Sequence, residues 1–116
     1  MKLTKVMLTL KRRPGLTRAA FRDYYESRHA PLAVSVLPGF VRYTRNYVMA
    51  PEEVETDYDC ITEFWFDSSS NEERRRIFFD GSAGRVLVPD EEQFMDRASM
   101  RTFTVEEASS DIVTTP

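Results

Sequence analysis

Cys60-Ile61-Thr62-Glu63-Phe64-Trp65-Phe66 is the stretch on which the fold of this chain turns. In an extended strand Ile61, Glu63 and Trp65 fall on one side, and Thr62, Phe64 and Phe66 fall on the other. Neither side is simply polar. A strand with aromatic rings on both sides belongs in a sheet covered on both faces, by the chain's own helices on one and by something else on the other.

Upstream, Phe40 to Val48 predicts a neighbouring strand, with Val41, Tyr43, Arg45 and Tyr47 on one face and Arg42, Thr44 and Asn46 on the other. An acidic, proline-containing connection from Ala50 to Asp59 joins the two strands. Lys5 to Lys11 predicts the first strand, with Val6, Leu8 and Leu10 opposite Met7 and Thr9. Arg12-Arg13-Pro14-Gly15 ends it, and Thr17 caps a helix in which Phe21, Tyr24, Tyr25, Arg28 and Leu32 recur at helical spacing. Arg22, Asp23 and Glu26 take the watery side of that helix. Pro31 disfavours helical geometry at Ala30, so the helix is expected to kink or end near His29. A short turn over Leu32 to Leu37 follows before Pro38-Gly39.

Downstream, Asp67-Ser68-Ser69-Ser70-Asn71 supplies turn and capping chemistry for a helix over Glu72 to Phe79, ended by Asp80-Gly81. Arg85 to Val88 predicts a further helical turn, and Pro89-Asp90 opens another through Phe94. Arg101 to Val105 is the last strand. The order β-α-β-β-α-β predicts an α+β, ferredoxin-like domain over residues 1–107, an antiparallel sheet with its helices on one face, followed by a polar tail over 108–116. The uncovered face predicts a homodimer in which two sheets close over each other as a dimeric α/β barrel.

A length of 116 residues fits one domain, and 41% hydrophobic with 30% charged residues is ordinary for a globular protein. The net charge of −3 and the scattered arginines argue against a nucleic-acid partner. The one basic run, Arg74-Arg75-Arg76, follows Glu72-Glu73 as on a solvated helix. Cys60 is the only cysteine and His29 the only histidine, so no intrachain disulfide forms and a Cys–His metal cluster lacks ligands. No Walker loop or dinucleotide fingerprint occurs, and no metal and no cofactor are expected, with haem on His29 as axial ligand the alternative left open. The N-terminus carries no long apolar run, which predicts neither a signal peptide nor a membrane span, and a cytoplasmic protein.

His29 sits in Tyr24-Tyr25-Glu26-Ser27-Arg28-His29-Ala30-Pro31-Leu32. Its side chain is the one whose ordinary pKa lies near neutrality, which suits general acid–base work; the plainer alternative is a histidine that caps helix carbonyls. Tyr43 is a candidate to hydrogen-bond a carbonyl or phenol oxygen, or else a packed strand aromatic. Glu63, between Ile61 and Trp65, needs a cationic partner such as Arg45 or Lys11, or a raised pKa. Trp65, Met7 and Phe94 are expected to shape an apolar pocket on the barrel side, with Tyr25 and Arg45 also contacting ligand.

Lys11-Arg12-Arg13-Pro14-Gly15-Leu16-Thr17, Phe21-x-x-Tyr24-Tyr25-x-x-x-His29-Ala30-Pro31-Leu32, Leu37-Pro38-Gly39 and Glu63-Phe64-Trp65-Phe66-Asp67-Ser68 occur in order with short gaps. Together with Phe94-Met95-Asp96 and the last strand, they resemble the EthD family of dimeric α/β barrels. The resemblance implies a small-molecule protein. That family includes proteins linked to ether degradation, methylmuconolactone methylisomerases, and dehydratases or decarboxylases of aromatic polyketides. The wider superfamily adds polyketide cyclases, quinol monooxygenases and haem-binding enzymes. In the methylisomerases a histidine at the helix end and a tyrosine on the next strand serve the site, and His29 and Tyr43 match them. A further histidine of those enzymes has no counterpart here, and Tyr25 stands where many relatives carry tryptophan.

These readings lead to an enzyme that works without a cofactor, a lyase or isomerase acting on a lactone, phenolic or polyketide-like compound. His29 is its general acid or base and Tyr43 the group that polarises an oxygen. Two alternatives stay open: a non-catalytic dimeric ligand-binding or accessory protein, and a quinol monooxygenase.

Overall fold

The computed structural model describes residues 3–37, 39–67 and 83–113. The helix expected over residues 72–79, its serine-rich cap and the Arg74-Arg75-Arg76 run lie outside the described residues.

Four strands form one antiparallel sheet: β1 (Leu3–Leu10), β2 (Phe40–Tyr47), β3 (Cys60–Asp67) and β4 (Arg101–Val105), in the spatial order β2-β3-β1-β4. The order follows from the connections. β1 and β2 run parallel to each other with β3 antiparallel between them, so helical connections cross the sheet without threading a loop. Register fixes the faces. Val6 pairs with Phe64, Leu8 with Thr62 and Leu10 with Cys60, and these even-numbered residues face the helices. Lys5, Met7 and Thr9 pair with Trp65, Glu63 and Ile61 on the opposite, open face.

In β2 the alternation is interrupted between Phe40 and Arg42, where a bulge lets Phe40 pair with Phe66 and Tyr43 with Phe64. Phe40 therefore joins Tyr43 against the helices, while Val41, expected to share the Tyr43 face, is half-exposed at the bulge.

The helical layer begins at α1 (Arg18–Tyr24), where the Thr17 hydroxyl accepts from the Ala20 N–H at 3.0 Å. Pro14 and Gly15, the latter at φ +92°, form the preceding turn, which the Leu16 N–H closes onto the Arg13 carbonyl. Of the two outcomes expected near His29, a kink or an end, the helix does not end but changes its hydrogen-bond register there. Tyr25–His29 instead forms one turn of π-helix, in which the Ala30 N–H reaches back five residues to the Tyr25 carbonyl, and α2 (Ala30–Val36) continues with Pro31 in its first turn. A proline is tolerated there because the hydrogen-bond register is already shifting and its missing N–H need not be matched. Arg28, placed on the apolar side by spacing, is exposed, and His29 is buried in its stead.

The last helix, α3 (Gly84–Glu91), contains Pro89 rather than beginning at it, and packs on α2 through Ala33, Ala83 and Leu87. Residues 11–13 then hydrogen-bond across to 94–96, from the Arg13 N–H to the Phe94 carbonyl and from the Asp96 N–H to the Lys11 carbonyl, both at 2.9 Å. That clasp holds Phe94, fully buried, in a core of Leu10, Phe21, Tyr25, Ala30, Cys60 and Met95. Beyond β4, residues 106–113 have no regular secondary structure and are exposed.

Candidate functional site

His29 lies under the helical layer with only 4% of its surface exposed. The π turn places Tyr25 and His29 on the same inward side, with ring centroids 5.6 Å apart. Phe94 closes the other flank at 4.9 Å. From α3, Asp90 Oδ2 lies 2.8 Å from His29 Nδ1, and its Oδ1 accepts from the Tyr24 hydroxyl at 2.6 Å. A carboxylate only accepts, so the contact puts the proton on Nδ1 and leaves Nε2 as the working nitrogen of the neutral ring. Glu91 Oε2 stands 3.7 Å from Nε2, while its Oε1 accepts from Arg97 Nε at 2.9 Å. The imidazole is thus bracketed by carboxylates on opposite nitrogens, which suits proton transfer. Among the described residues no group of three or more histidine, cysteine or carboxylate side chains is arranged to hold a metal ion.

Tyr43 packs against all three hydrophobic clusters, and its hydroxyl is 2.9 Å from that of Tyr25, which lies 2.7 Å from Thr62 Oγ1. Burial pushes the Tyr43 phenol up to about 12, and burial likewise drives Tyr25 well above the ordinary tyrosine value. Both hydroxyls therefore stay protonated at neutral pH. At the end of the row Cys60 Sγ lies 3.7 Å from Thr62, its thiol pushed up to about 11 by burial. Arg45 stacks 4.7 Å over the Tyr43 ring and grips Glu26 with two 2.9 Å hydrogen bonds, which hold the Glu26 carboxyl below its usual range.

His29, Tyr25, Tyr43, Arg45 and Phe94 therefore share the helix-side face of one sheet. Met7, Glu63 and Trp65 do not join them. Their odd register sends them to the open face, so the wall expected from Trp65, Met7 and Phe94 together is divided by the sheet itself. Glu63 pairs with Lys5 at 2.8 Å and accepts from Asn46 at 3.0 Å, rather than meeting Arg45 or Lys11. Those two are taken by Glu26 and Glu55. Tyr24, Asp90 and Glu91 are site residues to which the sequence assigned no chemical role. Asp90 lies 61 positions from His29, and its one local signal is an acidic run behind Pro89.

The EthD domain model matches residues 13–98, and the chain belongs to the EthD family. It is similar to the conidial pigment biosynthesis dehydratase EthD of Metarhizium robertsii, with 31% identity over 112 residues covering 84% of this chain and 77% of that protein. Among solved structures, an EthD family protein of Bacillus halodurans superposes with a TM-score of 0.63 at 19% identity, over 90% of this chain and 99% of that one. A dimeric protein of ferredoxin-like fold from Bacteroides fragilis superposes at 0.59 and 11% identity, over 90% and 96%. The chain is an α+β protein of ferredoxin-like fold. Among the described residues no helix is long and apolar enough to cross a membrane.

Proposed function

We propose that this chain is a proton-transfer lyase of the dehydratase type, acting on a small phenolic or polyketide-like ring compound. The observation that carries the reading is the buried His29–Asp90 pair, with Nδ1 committed to a carboxylate at 2.8 Å and Nε2 left to work. The family relative named as a dehydratase, 31% identical, supports elimination of water as the reaction.

In such a step His29 Nε2 removes a proton from the carbon next to a carbonyl, and the electron pair of that C–H bond forms an enolate. The pair then returns to make the C=C bond as the neighbouring C–O bond breaks. The imidazolium gives its proton to the departing hydroxyl, so water leaves and the histidine is neutral again. Nothing is oxidised or reduced. Asp90 orients the ring and pairs with its transient charge. Tyr43 donates to the carbonyl oxygen as charge develops there, with Thr62 and Tyr25 donating in series behind it. A phenol held at about 12 remains a donor throughout.

The active form is a two-fold homodimer closed through the open sheet faces. On that face Trp65 lies between the Lys5 ammonium at 4.8 Å and the Arg42 guanidinium at 4.9 Å, and Phe103 is half-exposed. An apolar, cation-flanked face of this kind gains from a second copy.

The test is substrate depletion followed by mass spectrometry across hydroxylated ring ketones, lactones and phenols, wild type against His29→Ala. Loss of water by wild type, slowed about 10²–10⁴-fold in the variant, is the expected result. Equal consumption by both proteins would remove His29 from the chemistry.

A further inference from the structure

A cavity of about 660 Å³ opens on the outer flank of α1, between that helix and the segment that follows β2. Neither His29 nor its partners Asp90, Glu91 and Phe94 line it. Its size is that of pockets that hold small organic ligands. The Phe21 and Tyr47 rings, in edge contact at 6.4 Å, form one wall, and Met49, 97% exposed, stands at the mouth. The Arg22 guanidinium carbon lies 4.7 Å over the Tyr47 ring; no carboxylate stands at ion-pair distance from it among the described residues, though Glu26, one helical turn on, acts on it through space. Deeper in, Arg18 Nε and Asp59 Oδ1 are buried without a hydrogen-bond partner. They lie 3.2 Å apart, near enough to attract but not aligned to bond. The other nitrogens of Arg18 are occupied by the Pro51 and Val54 carbonyls and by Thr56.

We propose that this cavity is a second small-molecule site, separate from His29, and that it takes a planar aromatic anion of the aryl carboxylate class. The chemistry follows from the lining. A flat ring matches the Phe21–Tyr47 wall and the polarizable Met49 thioether. A carboxylate completes the exposed Arg22, whose planar guanidinium suits two-point contact with it. Arg18 is held beside Asp59 at the floor, so the anionic group is drawn to Arg22 at the outer side, where no carboxylate stands at ion-pair distance among the described residues.

The probe is 2-naphthoate, titrated into the intact protein by calorimetry, with 2-naphthalenemethanol as the uncharged control. Saturable one-to-one binding is expected tighter than about 1 mM, with the alcohol at least about tenfold weaker. Binding should persist in His29→Ala. It should fall about tenfold in Arg22→Gln, recover in part in Arg22→Lys, and vanish in Ala19→Trp, whose indole on the exposed helix surface fills the cavity. Absence of saturable binding to wild type overturns the proposal, as does undiminished binding to Ala19→Trp. Loss of binding in His29→Ala overturns it as well, by assigning the probe to the His29 site.

Discussion

His29 is only as useful as Asp90 makes it. In Asp90→Asn the amide can present either its oxygen or its NH₂ group to Nδ1, so the ring is no longer committed to the tautomer with a free Nε2. Turnover of a substrate identified with wild type should fall about 10²-fold with the thermal midpoint nearly unchanged; equal kcat/KM would make Asp90 a packing residue. The phenols give a second prediction. Unfolded tyrosines ionise near 10, whereas Tyr43 is held to about 12 and Tyr25 is also raised. Between those values the unfolded chain has released protons that the folded one keeps, so stability falls as pH rises through the window. Urea midpoints measured on either side of pH 10 should drop for wild type and drop less for Tyr43→Phe; parallel curves would contradict the burial of that hydroxyl. His29 was legible in the sequence because a lone imidazole before a proline stands out. Asp90, Glu91 and Tyr24 were not, because nothing local distinguishes a carboxylate that a distant helix will bring to a ring from one that faces water.

At the scale of elements, Arg18 does the most to hold a segment in place. Its guanidinium donates to the Pro51 carbonyl at 2.6 Å, to that of Val54 and to Thr56, and lies beside the buried Asp59. Asp59 in turn accepts from the Arg12 N–H at 2.9 Å. Arg18→Ala should therefore destabilise by about 3 kcal/mol in urea unfolding, because it strands a buried carboxylate as well as three contacts. A change below about 1 kcal/mol would reduce the cluster to surface decoration. The strand ends were legible to within two residues, since alternation reports a half-buried surface directly. Pro31 marked the place where the helix changes, but not the form of the change: the missing N–H normally ends a helix, and here a single π turn absorbs it and carries the chain on. The bulge at Val41 was equally invisible, as one extra residue in a strand leaves the composition unchanged.

Over the whole molecule, the Cys60–Phe66 alternation already implied a sheet with one face left over, because two aromatic-bearing sides cannot both be covered by one helical layer. What it could not assign was which chemistry belonged to which side, and Met7 and Trp65 were credited to the wrong company. With Trp65 at the centre of the open face, Trp65→Glu should convert the dimer to monomer by sedimentation velocity. The thermal midpoint of wild type should rise with protein concentration while that of the variant does not. A wild type that sediments as a monomer throughout would leave the open face without its proposed partner.

Cys60 carries a consequence of another kind. It is fully buried at the end of β3, paired in register with Leu10 and Tyr47, and its thiol is pushed up to about 11. A thiol in that state is inert to an aromatic disulfide until the strand end parts from its neighbours, so each labelling event records one opening. The sequence thus contains a kinetic reporter of sheet dynamics, usable in the intact protein without a label or a mutation. The same rate, followed as 2-naphthoate is added, would register how tightly occupancy of the cavity beside α1 clamps the sheet.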